Sequence, residues 1–153
     1  MFDDGDFFDP ADGQGRGYLT ATQIADVWRT LVDDESPWST MALDDRSGYL
    51  RGMLDVLLDL TDGVDGPSRR RRLIRTARRH GMFRRGQALS DSIIAMDFAT
   101  LRDATQRALW QAGATARAAR KVFRVLLPDL RMARREALSG FMEGDQRSGA
   151  TGT

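Results

Sequence analysis

His80 is the one histidine in this chain of 153 residues, and imidazole is the side chain best able to exchange a proton or bind a metal near neutral pH. It follows Ala77 by three residues and Leu73 by seven, so a helical period places all three on one stripe. A lone inward histidine is typical either of a core residue with hydrogen-bonded ring nitrogens or of a haem ligand. We favour the core residue, because one histidine in an arginine-rich segment specifies little.

No other residues complete a catalytic group around His80. The chain has no cysteine, which excludes disulfides, cysteine-based zinc sites and thiol catalysis. The carboxylates show no paired spacing, and no serine has a second histidine to activate it. The sequence therefore predicts a protein that is not an enzyme, with no catalytic residue, no cofactor and no metal site.

The glycine-rich segment 12–20 has the outline of a calcium-binding EF-hand loop, with Gly17 at the position of the sharp turn. Gln14 and Arg16 stand where acidic oxygens are needed, and Gln23 replaces the bidentate glutamate. A phosphate loop is excluded as well, because the required lysine and hydroxyl pair is missing. We interpret the segment as a turn before a capped helix.

Arginine crowds the segment 67–85, and such a patch can neutralise the phosphates of a nucleic acid. Aromatic residues are not interleaved with it, however, and no recognition-helix turn is evident. Residues 1–66 hold 15 acidic and 4 basic side chains, whereas residues 67–153 hold 19 basic and 7 acidic ones. Opposite charges can attract each other within a chain or between two copies. We therefore favour a solvated or acid-paired face, and a nucleic-acid-binding accessory protein is the second hypothesis.

Helical periodicity dominates the pattern of apolar residues, and no alternating strand pattern appears. Thr20 and Gln23 predict a capping box at the first helix. The predicted helices are Thr20 to about Asp33, Asp44 to Leu60, Pro67 to Arg85 with Gly86 as a left-handed end, Ser90 to Gln111, and one from Thr115 that Pro128 kinks. The fold class is all-α, a single domain of five helices in a bundle or globin-like packing.

The expected domain boundaries are a flexible N-terminal arm at 1–18, a helical domain at 19–143 and a disordered tail at 144–153. The acidic N-terminus does not fit a secretory signal peptide, and no stretch is apolar enough to span a bilayer. We therefore expect a cytoplasmic protein with no membrane contact.

The fourth and fifth predicted helices carry more apolar surface than one small bundle needs. A two-fold partner offering the same surface would cover it, which predicts a homodimer. The candidate interface residues are Phe98, Leu101, Thr105, Val122, Phe123, Leu126 and Leu130.

The stretches 76–91 and 97–102 contain a histidine, a basic residue and a glycine, followed by an acidic residue shortly before Leu-Arg. These positions are His80, Arg84, Gly86, Asp97, Leu101 and Arg102. The pattern resembles the RsbR-type N-terminal domain of the RsbT co-antagonist family, over about residues 36–142 with 76–110 the distinctive part. Asp97 stands where the resemblance implies a longer glutamate, which shortens its reach toward Arg102 or a neighbour.

The resemblance implies a globin-like fold without haem that dimerises and serves as a sensory input module in bacterial stress regulation. Relatives are often joined to an STAS domain or a histidine kinase, and this chain has neither. We therefore expect either a free-standing member of the family or one whose output partner is a separate signalling protein. The leading hypothesis is a non-enzymatic helical sensory or protein-interaction domain acting as a homodimer. The alternatives are the nucleic-acid-binding accessory protein that uses helix 67–85 and a haem-binding globin that uses His80.

Overall fold

The computed structural model describes residues 19–59 and 66–151, with side chains described through Glu143. Within those ranges the chain is all-α and contains no strand, as the sequence predicts. The predicted arm at 1–18, with its glycine-rich segment, lies outside the described residues. The helices are α1 Ala21–Val32, α2 Leu43–Arg46, α3 Leu50–Leu57, α4 Pro67–Gly86, α5 Ser92–Gln111 and α6 Ala116–Thr151, with a 3₁₀ helix at Trp38–Thr40.

The capping box predicted for the first helix is confirmed. Thr20 accepts a hydrogen bond from the backbone N–H of Gln23, and the Gln23 side chain accepts one from the N–H of Thr20. Two backbone donors that have no partner inside the helix are thereby satisfied. The apolar face of α1 buries Ile24, Trp28 and Val32 in the core.

The single helix predicted from Asp44 to Leu60 is wrong, because the chain breaks it into α2 and α3. Gly48 separates them with a φ of +51°, a conformation that L side chains rarely adopt. A Cβ at Gly48 would also stand 2.8 Å from Nδ1 of His80. The break therefore brings backbone close to the one histidine, which a side chain at this position would prevent.

The predicted left-handed end at Gly86 is also wrong. α4 runs through Gly86, and Ala88 carries the positive φ of 60°. The backbone N–H groups of Gln87 and Ala88 still bond to carbonyls of the last helical turn, so the chain turns two residues later. Asp91, not Ser90, precedes the first residue of α5, and it makes no capping hydrogen bond through its side chain.

α6 begins as predicted, with the hydroxyl of Thr115 accepting a hydrogen bond from the N–H of Ala118. Pro128 lies inside it. The backbone is helical through Thr151. No proline follows Pro128 to remove a further helical hydrogen bond.

The helices enclose one apolar core, and α4 packs most extensively against α6. Arg69 pairs with Asp129 and Arg78 pairs with Glu136, so contacts advance together along both helices and the two run in the same direction. Gly81 lies where they come closest. α1 packs on α5, and α3 packs on α4.

The predicted dimer surface is inside the single chain. Six of its seven residues are buried: Phe98, Leu101, Thr105, Val122, Leu126 and Leu130. Phe123 alone is partly exposed. The prediction counted two apolar stripes as surplus, whereas α5 and α6 bury these side chains in the shared core. These residues therefore cannot form an interface without unfolding the chain.

Among the residues that the structure describes, no helix combines the length and apolar character that a bilayer crossing requires.

Candidate functional site

Three ionisable side chains are enclosed in the core between α4 and α5. His80 and Arg84 lie four residues apart on α4, which puts them on one helix face, and Asp97 lies on α5. Each has no exposed surface. A buried charge is costly unless it is paired and hydrogen-bonded, so the contacts of this group determine whether it is tolerated.

Asp97 accepts two hydrogen bonds on each carboxylate oxygen. Oδ2 lies 2.7 Å from Nε2 of His80 and 2.9 Å from Nε of Arg84. Oδ1 lies 3.1 Å from Nη2 of Arg84 and 2.9 Å from Nε1 of Trp38. The Arg84 guanidinium and the carboxylate thus form a two-pronged ion pair, the strongest geometry available to these groups. We call His80, Arg84, Asp97 and Trp38 the buried cluster.

Both ring nitrogens of His80 are used by the protein. Nδ1 accepts a hydrogen bond of 3.2 Å from the backbone N–H of Tyr49. Nδ1 therefore carries no proton, and Nε2 is the nitrogen that donates to Asp97. This arrangement matches the favoured interpretation of His80 as a hydrogen-bonded core residue. Neither nitrogen retains a lone pair directed at a metal or a substrate.

Arg84 also holds the chain that precedes α3. Its Nη1 donates to the carbonyl of Asp45 at 3.0 Å and to Oε1 of Gln87 at 2.9 Å, and its Nη2 donates to the carbonyl of Arg46. The backbone N–H of Tyr49 donates to His80, so the buried cluster binds backbone groups at the end of α2 and just before α3. The segment 38–49, from the 3₁₀ helix to Tyr49, is fixed by polar contacts to buried charges.

The outer side of the same segment forms one wall of an open groove of about 410 Å³ between α1, α2 and α3. Leu50, Leu54 and Leu101 contribute apolar lining, and Leu43 stands at the groove with 69 % of its surface exposed. The groove and the buried cluster thus share α2 as a common wall.

A second buried arginine fixes the other end of α3. Arg69 is 1 % exposed and donates to the carbonyls of Val56 and Leu57 at 3.1 and 2.8 Å. Its Nη1 also lies 2.9 Å from Oδ2 of Asp129 on α6. Carbonyls at a helix end have no partner inside the helix, so Arg69 supplies one and links three helices.

Much of the basic charge of α4 is committed within the chain. Arg69 and Arg84 are buried, Arg72 pairs with Asp59 at 2.9 Å, and Arg78 pairs with Glu136 at 2.7 Å. The hydrogen bond from Arg78 to Glu136 raises the pKa of this guanidinium above its usual value. This finding agrees with an acid-paired face for part of the helix.

Exposed cations without a described partner are more numerous on α6. We call the following residues the α6 cation stripe: Arg120, Lys121, Arg124, Arg131, Arg134 and Arg135. Their spacing places them on the face opposite the buried residues of α6, over about 22 Å of helix axis. No ion pair joins them to any residue in the described part of the chain.

The six residues that carry the family resemblance lie in different parts of the structure. His80, Arg84 and Asp97 come together in the buried cluster. Leu101 lines the groove from the core side, Gly86 is exposed at the end of α4, and Arg102 is exposed with its guanidinium 6.0 Å from the ring centre of Phe123. The ion partner of Asp97 is therefore Arg84 and not Arg102.

The sequence interpretation missed Trp38 and the Gly48–Tyr49 turn as parts of this site. A glycine inside an apolar helical pattern was the available signal for the turn, because it is a common helix interruption. Nothing in the spacing indicated that Trp38 reaches a carboxylate 59 residues later in the chain.

Among the described residues, no three histidine, cysteine, aspartate or glutamate side chains are grouped as a metal site. Comparisons of the chain with models of protein families, with curated proteins and with solved structures found no match.

Proposed function

We propose that this chain is a non-enzymatic, ligand-responsive helical domain that passes on the occupancy of its groove through segment 38–49. The observation that carries the proposal is the double role of α2, which lines the groove on one side and is held by buried charges on the other. This is a sensory function, with the globin-like, non-haem packing and the separate signalling partner of the bacterial stress sensors that the sequence resembles.

The chemistry of the buried cluster supports binding over catalysis. His80 and Asp97 have no exposed surface, and their polar atoms are occupied by Arg84, Trp38 and the backbone of Tyr49. A general acid or base must come within hydrogen-bond reach of a substrate. These groups instead stabilise one position of a surface segment.

The hydrogen bonds that hold α2 are of a strength that ligand binding could alter. Hydrogen bonds from a charged group contribute about 1.5–3 kcal/mol each, and Arg84 makes two to the carbonyls of α2. A ligand shifts such an equilibrium only by its difference in affinity for the two positions, and small molecules commonly supply a few kcal/mol. Groove occupancy is therefore able to change how the buried cluster holds α2.

The experiment uses the indole N–H of Trp38 as a reporter in the ¹⁵N-labelled protein. A set of neutral and charged fragments is titrated, and binding is assigned from the amides of the groove residues. We expect groove ligands also to move the Trp38 indole and Tyr49 amide signals. The Trp110 indole, 58 % exposed at the end of α5, serves as the internal control. Ligands that fill the groove and leave Trp38 and Tyr49 unmoved would contradict a sensory role.

A homodimer remains part of the proposal, with its contact on other residues. Leu138 and Met142 lie one turn apart on α6 and are 41 % and 47 % exposed. A second copy is the favoured occupant because a two-fold contact pairs the same apolar turn with itself.

The α6 cation stripe supports a second candidate function, binding of a nucleic acid. Six cations without a described acidic partner, along about 22 Å, match a phosphate backbone better than the partly paired arginines of α4 do. This moves the hypothesis from helix 67–85 to α6, and its diagnostic is a steep dependence of binding on salt.

A further inference from the structure

The indole N–H of Trp28 is a buried donor without an acceptor among the described residues. Trp28 is 3 % exposed and lines the groove. Buried polar groups in native proteins nearly always have a hydrogen-bond partner, and leaving one without a partner destabilises the fold. An acceptor brought by a ligand is one way to satisfy this donor.

The charge of the groove indicates the kind of acceptor. Arg29, Arg46 and Arg51 line it, against one carboxylate, that of Asp44. Arg46 is already bound to Asp33 at 3.1 Å, and Arg51 donates to Thr22 at 2.9 Å.

Arg29 differs from the other two arginines of the groove. It is exposed, and no hydrogen bond or ion pair joins its side chain to any described residue. Its guanidinium is therefore able to take a ligand oxygen without breaking an existing bond, in the two-pronged manner that suits a carboxylate.

We infer that the groove binds a small carboxylate with an apolar body, held by Arg29 and the Trp28 indole N–H and packed on Leu50 and Leu54. Its volume of about 410 Å³ lies within the range of small-molecule sites. A carboxylate oxygen would accept hydrogen bonds from Arg29 and Trp28, and an apolar body would cover Leu50 and Leu54. A ligand needs both parts to contact the whole lining of the groove. The inference rests on the proposed sensory function and names the chemistry of its ligand.

Trp28 also gives the ligand a second route to the buried cluster. Its ring meets that of Trp38 edge to face, with centres 5.9 Å apart and planes at 78°. Trp38 in turn donates to Asp97. A carboxylate that draws the Trp28 indole toward the groove thus moves a ring in contact with the cluster.

Phenylacetate is the probe, with phenylacetamide as the neutral match and acetate as the anion without an apolar body. We expect the Trp28 indole signal to shift saturably with phenylacetate, and the other two compounds to bind about tenfold more weakly or worse. Arg29→Gln should weaken phenylacetate about tenfold and leave phenylacetamide unchanged. Arg70→Gln is the matched control, because Arg70 is exposed on α4 with no described partner.

Trp28→Phe removes the donor and retains an aromatic ring, and it should weaken phenylacetate while circular dichroism still shows the helical spectrum of the folded protein. Equal affinity for acid and amide, or no effect of Arg29→Gln, would overturn the carboxylate inference. If the carboxylate inference failed in this way but phenylacetamide still shifted the Trp38 signal, the proposed sensory function would stand. If phenylacetate moved Trp28 but not Trp38, the site would stand and the sensory function would fail.

Discussion

Gly81 lies so close to α6 that a Cβ placed on it would stand 1.8 Å from the carbonyl oxygen of Ala137. Gly140 makes the reciprocal approach, with its Cβ position 2.2 Å from the carbonyl oxygen of Arg78. The backbones of α4 and α6 are therefore in direct contact, and both positions require glycine for lack of space. This contact holds the helix that carries His80 and Arg84.

Gly81→Ala should destabilise the protein by about 3 kcal/mol, because a methyl group meets backbone that cannot move aside. Urea unfolding followed by circular dichroism measures this. Gly86→Ala is the matched control: nothing lies within 4 Å of that Cβ position on the same helix, so we expect a gain of about 0.5 kcal/mol. Equal effects of the two substitutions would show that the helices are not in contact at Gly81.

Asp97→Asn should cost about 3–5 kcal/mol, because it leaves the buried guanidinium of Arg84 without its counter-charge. The Trp38 indole signal should shift in the same variant, since its acceptor changes. Asp103→Asn is the control, on an exposed position of α5 without a described partner, and should stay within about 0.5 kcal/mol. A loss below 1 kcal/mol for Asp97→Asn would mean that the cluster is not buried in solution.

The protein should be colourless when produced with ample haem. Both nitrogens of His80 are bound, to Asp97 and to the backbone of Tyr49, so iron would have to displace one of them. An absorption spectrum from about 350 to 450 nm tests this, because bound haem absorbs strongly in that range. A Soret band that disappears in His80→Ala would revive the haem-binding globin.

Nucleic-acid binding, if the second candidate function is right, should depend on α6. Replacing Arg120, Lys121 and Arg124 by alanine should weaken binding to a duplex of about 20 base pairs. The slope of the binding constant against salt concentration should also fall, by the equivalent of about three phosphate contacts. Arg70→Ala with Arg71→Ala on α4 is the comparison variant and should have the smaller effect. No binding by the wild type at about 50 mM salt would remove this candidate.

Light scattering should give twice the monomer mass of 17.1 kDa at high micromolar concentration. Leu138→Glu with Met142→Glu should return the monomer without loss of helicity, because both side chains are already partly exposed. Phe123→Asp should instead lower stability, since Phe123 is half-buried against Arg102. A wild-type monomer at that concentration would exclude the dimer.

Local signals in the sequence were sufficient for the ends of several helices. The Thr20 capping box and Pro67 at the start of α4 use neighbouring residues only, so spacing reveals them. Helical stripes also predicted a buried His80. They did not reveal whether an apolar stripe faces its own core or a second copy, which is why the interface residues were misplaced. That choice depends on how whole helices pack.

The composition of the buried cluster was beyond such patterns for the same reason. His80 and Arg84 share a helix face, but Trp38 and the Tyr49 amide come from a segment far earlier in the chain. Gly48 was visible, and its effect on His80 was not, because the effect arises only once α3 is folded onto α4.

The three tryptophans lie in settings that their fluorescence would separate. Trp28 and Trp38 are each 3 % exposed and in mutual contact, whereas Trp110 is 58 % exposed. Water-soluble quenchers reach only the last of these, and Trp110→Phe would leave emission from the buried pair alone. Because Trp38 donates a hydrogen bond to Asp97, the wavelength of that emission would depend on the charges of the buried cluster. The fluorescence of the buried pair of tryptophans thus reports on the buried ion pair between Arg84 and Asp97.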